Sequence, residues 1–337
     1  MSNDLPRSLS RRSLLLGAAA TGGLALSGCG GNLGGGSGDA ASFPSGPVTM
    51  LIGGSPGGIA DLELRALADP VSADLDVSTP VENRPGANGA LAAGEVAQAT
   101  PDGQTIMIFN GSLAYITPLA VSADEAVSID DYEVVTGVCR DDYVIVTSPG
   151  SGFASIDDLT GAGRPITYAT TGVGTGSQLS QAYVLALSGL EGTPVPFDGG
   201  NPTMVAVLGG QTDIGCAQIG DALAQIQAGQ LVPLLVMAAE RNPALPEVPT
   251  ATESGLDAVV QQSRAIVAPK DTPADVVARL REAFRAAFED PAYREFQQSN
   301  QLIPWEVDGD EVVTDWNDRR EEYAAFVEES GVSIGEG

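Results

Sequence analysis

Histidine is absent from the 337 residues, and Lys270 is the only lysine. The first absence removes every Ser-His-Asp or Cys-His arrangement, the commonest general base and the commonest zinc ligand. The second leaves no Gly-Lys-Ser/Thr phosphate loop. Cysteine is scarce: beyond Cys29 there are only Cys139 and Cys216, in separate segments. Two readings stand for them, a disulfide in an oxidising exterior or two buried thiols. Positive charge is scarce as well. Sixteen Lys and Arg face 44 Asp and Glu, for a net charge of −28. Such a surface excludes nucleic acid and a bare anionic membrane as partners. It fits a protein kept soluble in high salt, which points to a halophilic source. The acidic residues are scattered, so no carboxylate pair stands out for acid–base catalysis. No enzyme activity, cofactor or metal is therefore expected.

What is present begins with an address. Ser10-Arg11-Arg12-Ser13-Leu14-Leu15-Leu16 is a twin-arginine pattern, followed by an Ala/Gly/Leu-rich core through Leu26. That core is shorter than the ~20 apolar residues of a spanning helix. It ends in Leu26-Ser27-Gly28-Cys29, which resembles a lipoprotein box with Cys29 as the lipid acceptor. Residues 1–28 are read as a removable signal, and the glycine-rich residues 29–45 as a flexible tether. The signal holds three arginines and one aspartate, so the exported chain carries −30. It is expected outside the cytoplasmic membrane, held there by lipid.

The chain beyond the tether is organised around residues 51–65. An apolar run, Val48 to Ile52, short enough for a buried strand, enters the turn Ser55-Pro56-Gly57-Gly58. The chain leaves as a helix with Leu62, Leu64, Leu67 and Val71 as apolar positions. Strand, glycine turn and helix start leave unpaired N–H groups facing a crevice, an arrangement that attracts anions. The grammar repeats at Asn110-Gly111-Ser112 and at Thr170-Thr171-Gly172-Val173-Gly174-Thr175-Gly176-Ser177. A side chain at Gly58 is expected to block close approach or force an unfavourable φ.

Short apolar runs predict strands at 77–81, 106–109, 134–138, 143–147, 166–169, 194–197, 214–217 and 231–237. Helices are predicted at 91–98, from 156, and at 178–188, 201–208 and 222–228. This alternation is that of an α/β chain with mostly parallel sheets. Two C-terminal helices follow. One starts at Thr272-Pro273, with Val276, Val277, Leu280, Phe284 and Phe288 on one face. The other covers about 310–330, with Val312, Trp316, Tyr323 and Val327. The glycines of residues 172–177 have the wrong spacing for a dinucleotide fingerprint.

Several segments in order resemble the substrate-binding proteins of tripartite tricarboxylate transporters (Bug-type receptors). They are Pro56-Gly57-Gly58 with Asp61 and Arg65, Glu82-Asn83-Arg84-Pro85-Gly86-Ala87, Pro101-Asp102-Gly103, Gly209-Gly210-Gln211 with Asp213, and Leu245-Pro246-Glu247-Val248-Pro249-Thr250. The resemblance implies a type II periplasmic-binding-protein-like clamshell of two domains joined by hinge strands. Domain one would be 46–146 plus 262–337, and domain two 147–261. It implies a small organic di- or tricarboxylate held by turns of both domains, at Ser55 to Gly58, Asp61, Asn110 to Ser112, Thr170 to Ser177 and Phe197. It further implies a monomer that delivers this ligand to the membrane permease subunits of such a transporter. A ligand-sensing receptor for a membrane signalling partner is the alternative; a carboxylate-based enzyme on the same fold is another. Three positions depart from the family pattern: Ala60 where a hydroxyl residue is usual, Asp198 in place of a lysine, and Ser263-Arg264 in place of an aromatic pair ahead of the final strand. Arg264 either meets a second carboxylate or lies on the surface.

Overall fold

The computed structural model describes residues 43–256 and 259–335. The twin-arginine signal, Cys29 and most of the tether lie outside the described residues. The first half runs β1 (Thr49–Ile52), α1 (Ile59–Leu75), β2 (Val81–Asn83), α2 (Ala90–Ala97), β3 (Thr105–Asn110), α3 (Ser112–Tyr115), β4 (Tyr132–Thr147) and α4 (Ile156–Thr160). It continues with β5 (Ile166–Thr170), α5 (Gly176–Leu187), β6 (Gly192–Pro196), α6 (Gly200–Leu208), β7 (Ile214–Gln218), α7 (Ile219–Gln227) and β8 (Val232–Val236). The chain closes with β9 (Gln261–Pro269), α8 (Ala274–Phe288), α9 (Pro291–Ser299), β10 (Ile303–Pro304) and α10 (Gly309–Ser330).

The strand order is β2-β1-β3-β9-β4-β7-β5-β6, with β8 and β10 also on β4. At the two ends the strands are parallel, β2-β1-β3 on one side and β7-β5-β6 on the other. In the middle β9 and β4 pair antiparallel to each other and to their neighbours. The parallel portions are the expected βαβ units, and the antiparallel middle is the pair of hinge strands. This is a mixed α/β clamshell of two lobes. One apolar core runs through both halves of the sheet, from Leu51 and Phe109 to Tyr143, Leu179 and Ile214. Two further cores lie under the β1 side and the β7 side.

The longest departure from the sequence reading is β4. The strands expected at 134–138 and 143–147 are one strand of 16 residues. Cys139-Arg140-Asp141-Asp142 reads as a polar break, but Asp141 pairs with Arg264 at 2.9 Å and Asp142 accepts from the Gln261 amide at 2.7 Å. The strand expected at 77–81 lies further on, at Val81–Asn83. Residues 78–80 already accept hydrogen bonds from Val48 and Met50, but Pro80 has no N–H to return. Leu62 is 42% exposed, so the buried stripe of α1 is Leu64, Leu67 and Val71. Ser263 and Arg264 stand inside β9 rather than ahead of it. Helix α9 was not anticipated, although Asp290 caps it through the Ala292 N–H and Pro291 follows at its first position.

The C-terminal helices brace the hinge. Helix α8 buries Val276, Leu280, Phe284 and Phe288 in the core it shares with α1. Helix α10 places Trp316 against Phe109, ring centroids 5.5 Å apart, and the indole N–H donates to Ser263 Oγ at 2.8 Å. Burying such side chains contributes about 1.5–3 kcal/mol each. Arg140 of β4 pairs with Asp315 and lies 4.4 Å over the Trp305 ring.

Candidate functional site

The turn after β1 is held by the chain itself. Asp61 is 3% exposed; it accepts from the Gly57 N–H at 2.8 Å and from Arg65 and Asn83 at 2.9 Å each. Burial opposes its charge, but the bonds from Arg65, Gly57 and Asn83 outweigh that and hold the carboxyl below the usual range. The residue that needs glycine for its backbone is Gly57, with φ 81°. Gly58 has φ −74°, and a Cβ there would meet nothing closer than 3.5 Å. The strain foreseen at Gly58 is therefore at its neighbour. Close approach is required at Gly53 instead, where a Cβ would fall 2.3 Å from Gly89 Cα.

Around this turn lies a cavity of about 50 Å³, lined from both halves of the sheet. Gly54, Ser55, Gly58, Asp61 and Asn110 come from the β1–β3 side, and Thr171, Gly199, Gly200, Gln218 and Asp221 from the β5–β7 side. Gln262 and Arg264 of β9 complete it. Three helices begin here: α1 at Gly58, α6 at Gly199 and α7 at Gln218. The two sides touch. Ser55 Oγ donates to the Asp198 carbonyl, and the Ile59 N–H donates to Asp221 Oδ1 at 2.7 Å. Asp221 thus caps α1 from the opposite side. Burial pushes its carboxyl up to about 6, against the lowering effects of the Ile59 N–H and of Arg264.

Arg264 is 1% exposed, which removes the surface reading. Its guanidinium meets Glu63 at 3.1 Å and Asp141 at 2.9 Å, both buried, and Cys139 Sγ at 3.3 Å. Its Nε–H has no hydrogen-bond partner among the described residues, nor has Asn110 Oδ1. Burial opposes the guanidinium charge, and Asp141, Cys139 and Glu63 outweigh it. Burial likewise pushes Asp141 up to about 7, although Arg264 pulls it down. Cys139 and Cys216 are separate buried thiols.

A second cavity of about 480 Å³ adjoins the first, with Asn88 and Asp198 lining both. Gly172 and Phe197 line this one. The expected residues are thus divided. Ser55, Gly58, Asp61, Asn110 and Thr171 line the small cavity, while Pro56, Gly57, Gly111, Ser112, Thr170, Gly174, Thr175 and Ser177 line neither. The hydroxyls among these are committed internally. Thr175 caps α5 through the Gln178 N–H and donates to the Gly172 carbonyl; Ser177 donates to the Cys216 carbonyl; Thr170 donates to the Gly172 carbonyl. Ser112 is fully buried between Asn88 and Gln262. Lining residues that the sequence reading did not assign to the site include Asn88, Gly199, Gly200, Gln218, Asp221 and Gln262. Asp198-Gly199-Gly200-Asn201 carried a readable signal, a glycine turn between strand and helix. Gln218 and Asp221 carried none, because β7 passes into α7 without a turn.

Residues 64–332 match the family described as tripartite tricarboxylate transporter family receptor. A UPF0065 protein of Agrobacterium vitis is 32% identical over 268 residues, covering 78% of this chain and 77% of that protein. Among solved structures, the periplasmic binding protein BugD is 25% identical, with TM-score 0.81, over 87% of this chain and all of BugD. MatC of Rhodopseudomonas palustris, solved with bound malate, is 25% identical with TM-score 0.74, over 82% of this chain and all of MatC. The match spans both halves of the sheet, the hinge strands and the C-terminal helices, so the chain belongs to the family of tripartite tricarboxylate transporter receptors.

Proposed function

We propose that this protein is an extracytoplasmic receptor that captures a small organic acid between its two lobes and delivers it to a tripartite tricarboxylate-type permease. The lobes are taken as residues 46–146 with 262–337, and 147–261. The observation that carries the reading is the small cavity, closed by Ser55–Asp198 and Ile59–Asp221 contacts across the two sides and entered by the starts of three helices. Of these, α1 and α7 carry acids in their first turns, Asp61 and Asp221, whereas α6 has none. The start of α6, at Gly199 and Gly200, has no acid of its own but has the Asp221 carboxylate against Gly200, and a ligand's carboxylate would reach this end beside it. Arg264 Nε–H supplies a further donor. Malate bound to MatC is consistent with such chemistry.

In this reading the protein works as a carrier rather than a catalyst, as a monomer tethered through Cys29. A Cys29→Ala variant should leave the membrane fraction for the medium. The functional reading is tested by thermal shift against a panel of mono-, di- and tricarboxylates, because a ligand that binds the native state raises its melting temperature. At least one acid should raise it in a saturable way. A flat panel would contradict the receptor reading.

A further inference from the structure

The two cavities differ in what they line up for a ligand. The small one, at about 50 Å³, has room for a few water-sized groups, a carboxylate and little beyond it. Any larger body must occupy the adjoining cavity of about 480 Å³. Its wall is Ala87, Ala90, Val121, Val173, Pro196 and Phe197, with the polar Asn88 and Thr117. The charged residues that line it, Glu125 and Asp198, are both acidic, and among the described residues no Lys or Arg lines it. Glu125 accepts from Ser122, while the Asp198 carboxylate has no hydrogen bond or ion pair among the described residues. Asp198 stands where the two cavities meet, and it is exposed.

Building on the receptor reading above, we propose that the larger cavity is a subsite for an uncharged, apolar ligand body. The receptor then selects monocarboxylates with an aliphatic or aromatic tail, and discriminates against acids that carry a second carboxylate at the far end. A terminal carboxylate placed here would face Asp198 and Glu125 and find no cation among the described residues that line it. A methyl or phenyl group loses only unfavourable contact with water. The narrowing is one of charge number: the di- or tricarboxylate expected from family resemblance finds no second cationic anchor in the larger cavity.

Three six-carbon probes differ only at the far end: hexanoate, adipate and 6-aminohexanoate. Titration calorimetry on the full mature protein should give hexanoate a Kd at least tenfold below adipate's and below 6-aminohexanoate's. Asp198→Lys, an exposed change, should bring adipate's Kd down at least tenfold and narrow the hexanoate preference. Adipate binding as tightly as hexanoate, or a ratio unmoved by Asp198→Lys, overturns the subsite while leaving the receptor reading intact. Tighter binding of 6-aminohexanoate overturns it in favour of a cation site. If none of the three binds, and malate and phenylacetate also fail, the receptor reading falls and the subsite with it.

Discussion

Asp221, in the first turn of α7, accepts a hydrogen bond from the Ile59 N–H at 2.7 Å, across the cleft from its own helix. The protein's own carboxylate thus occupies part of the helix start that an anionic ligand would use. Its carboxyl sits near 6 because burial raises it more than Ile59 and Arg264 lower it.

The sign of the pH effect follows. A carboxyl whose folded value lies above its unfolded ~3.9 destabilises the fold when ionised, so stability is lost as pH rises through the folded value. Asp221 near 6 and Asp141 near 7 therefore cost stability as pH rises from about 4, the unfolded value, to about 6 and 7, with no further loss above. Below that window Asp61, Asp213 and Glu253, whose carboxyls are held below their usual range, act in the opposite sense. A melting-temperature maximum at about pH 4 is expected. Asp221→Asn keeps the acceptor for Ile59 and removes the charge. It should stabilise the protein at pH 8 by about 1–2 kcal/mol and flatten the fall between about pH 4 and 6. An unchanged profile in the variant would assign the titration to other groups.

Arg264 neutralises two buried carboxylates, Glu63 and Asp141. Removing one partner of a buried pair leaves uncompensated charge, typically a loss of about 3–5 kcal/mol. Arg264→Met should show that loss in urea unfolding at pH 8. Adding Glu63→Gln and Asp141→Asn should recover most of it. Failure of the triple variant to recover would mean that Arg264 contributes by packing instead.

Thr175 was expected to face the ligand, but its hydroxyl caps α5. Thr175→Val should cost about 1 kcal/mol of stability and leave the Kd of a bound acid within twofold. A large loss of affinity in a normally stable variant would return Thr175 to the site.

How far the sequence was legible depended on whether a signal was local. The β1–α1 turn could be read because Pro56-Gly57-Gly58 and an apolar run sit side by side, and the C-terminal helices because their stripes repeat at helical spacing. The hinge could not. Arg140, Asp141 and Asp142 look like surface charge, and only the pairing of β4 with β9 brings Asp141 to an arginine 123 positions later, where both are 1% exposed. The hydroxyls of residues 170–177 posed the opposite problem. Their composition suits an anion site, yet Thr170 and Thr175 serve their own turn and Ser177 donates to the Cys216 carbonyl of β7. Composition gives the donors present and not the donors left over.

In the proposed receptor an organic acid sits in the small cavity between the lobes. Gly54 lines that cavity, its backbone is not left-handed, and a Cβ there would meet only Ile52, at 3.8 Å. Gly54→Leu therefore fills the cavity without straining the turn. Titration calorimetry with the acid that gives the largest thermal shift compares the variant with the wild type. The wild type should bind one equivalent, and a Gly54→Leu protein that melts within a few degrees of it should bind at least a hundredfold more weakly. Wild-type affinity in the stably folded variant would contradict that placement.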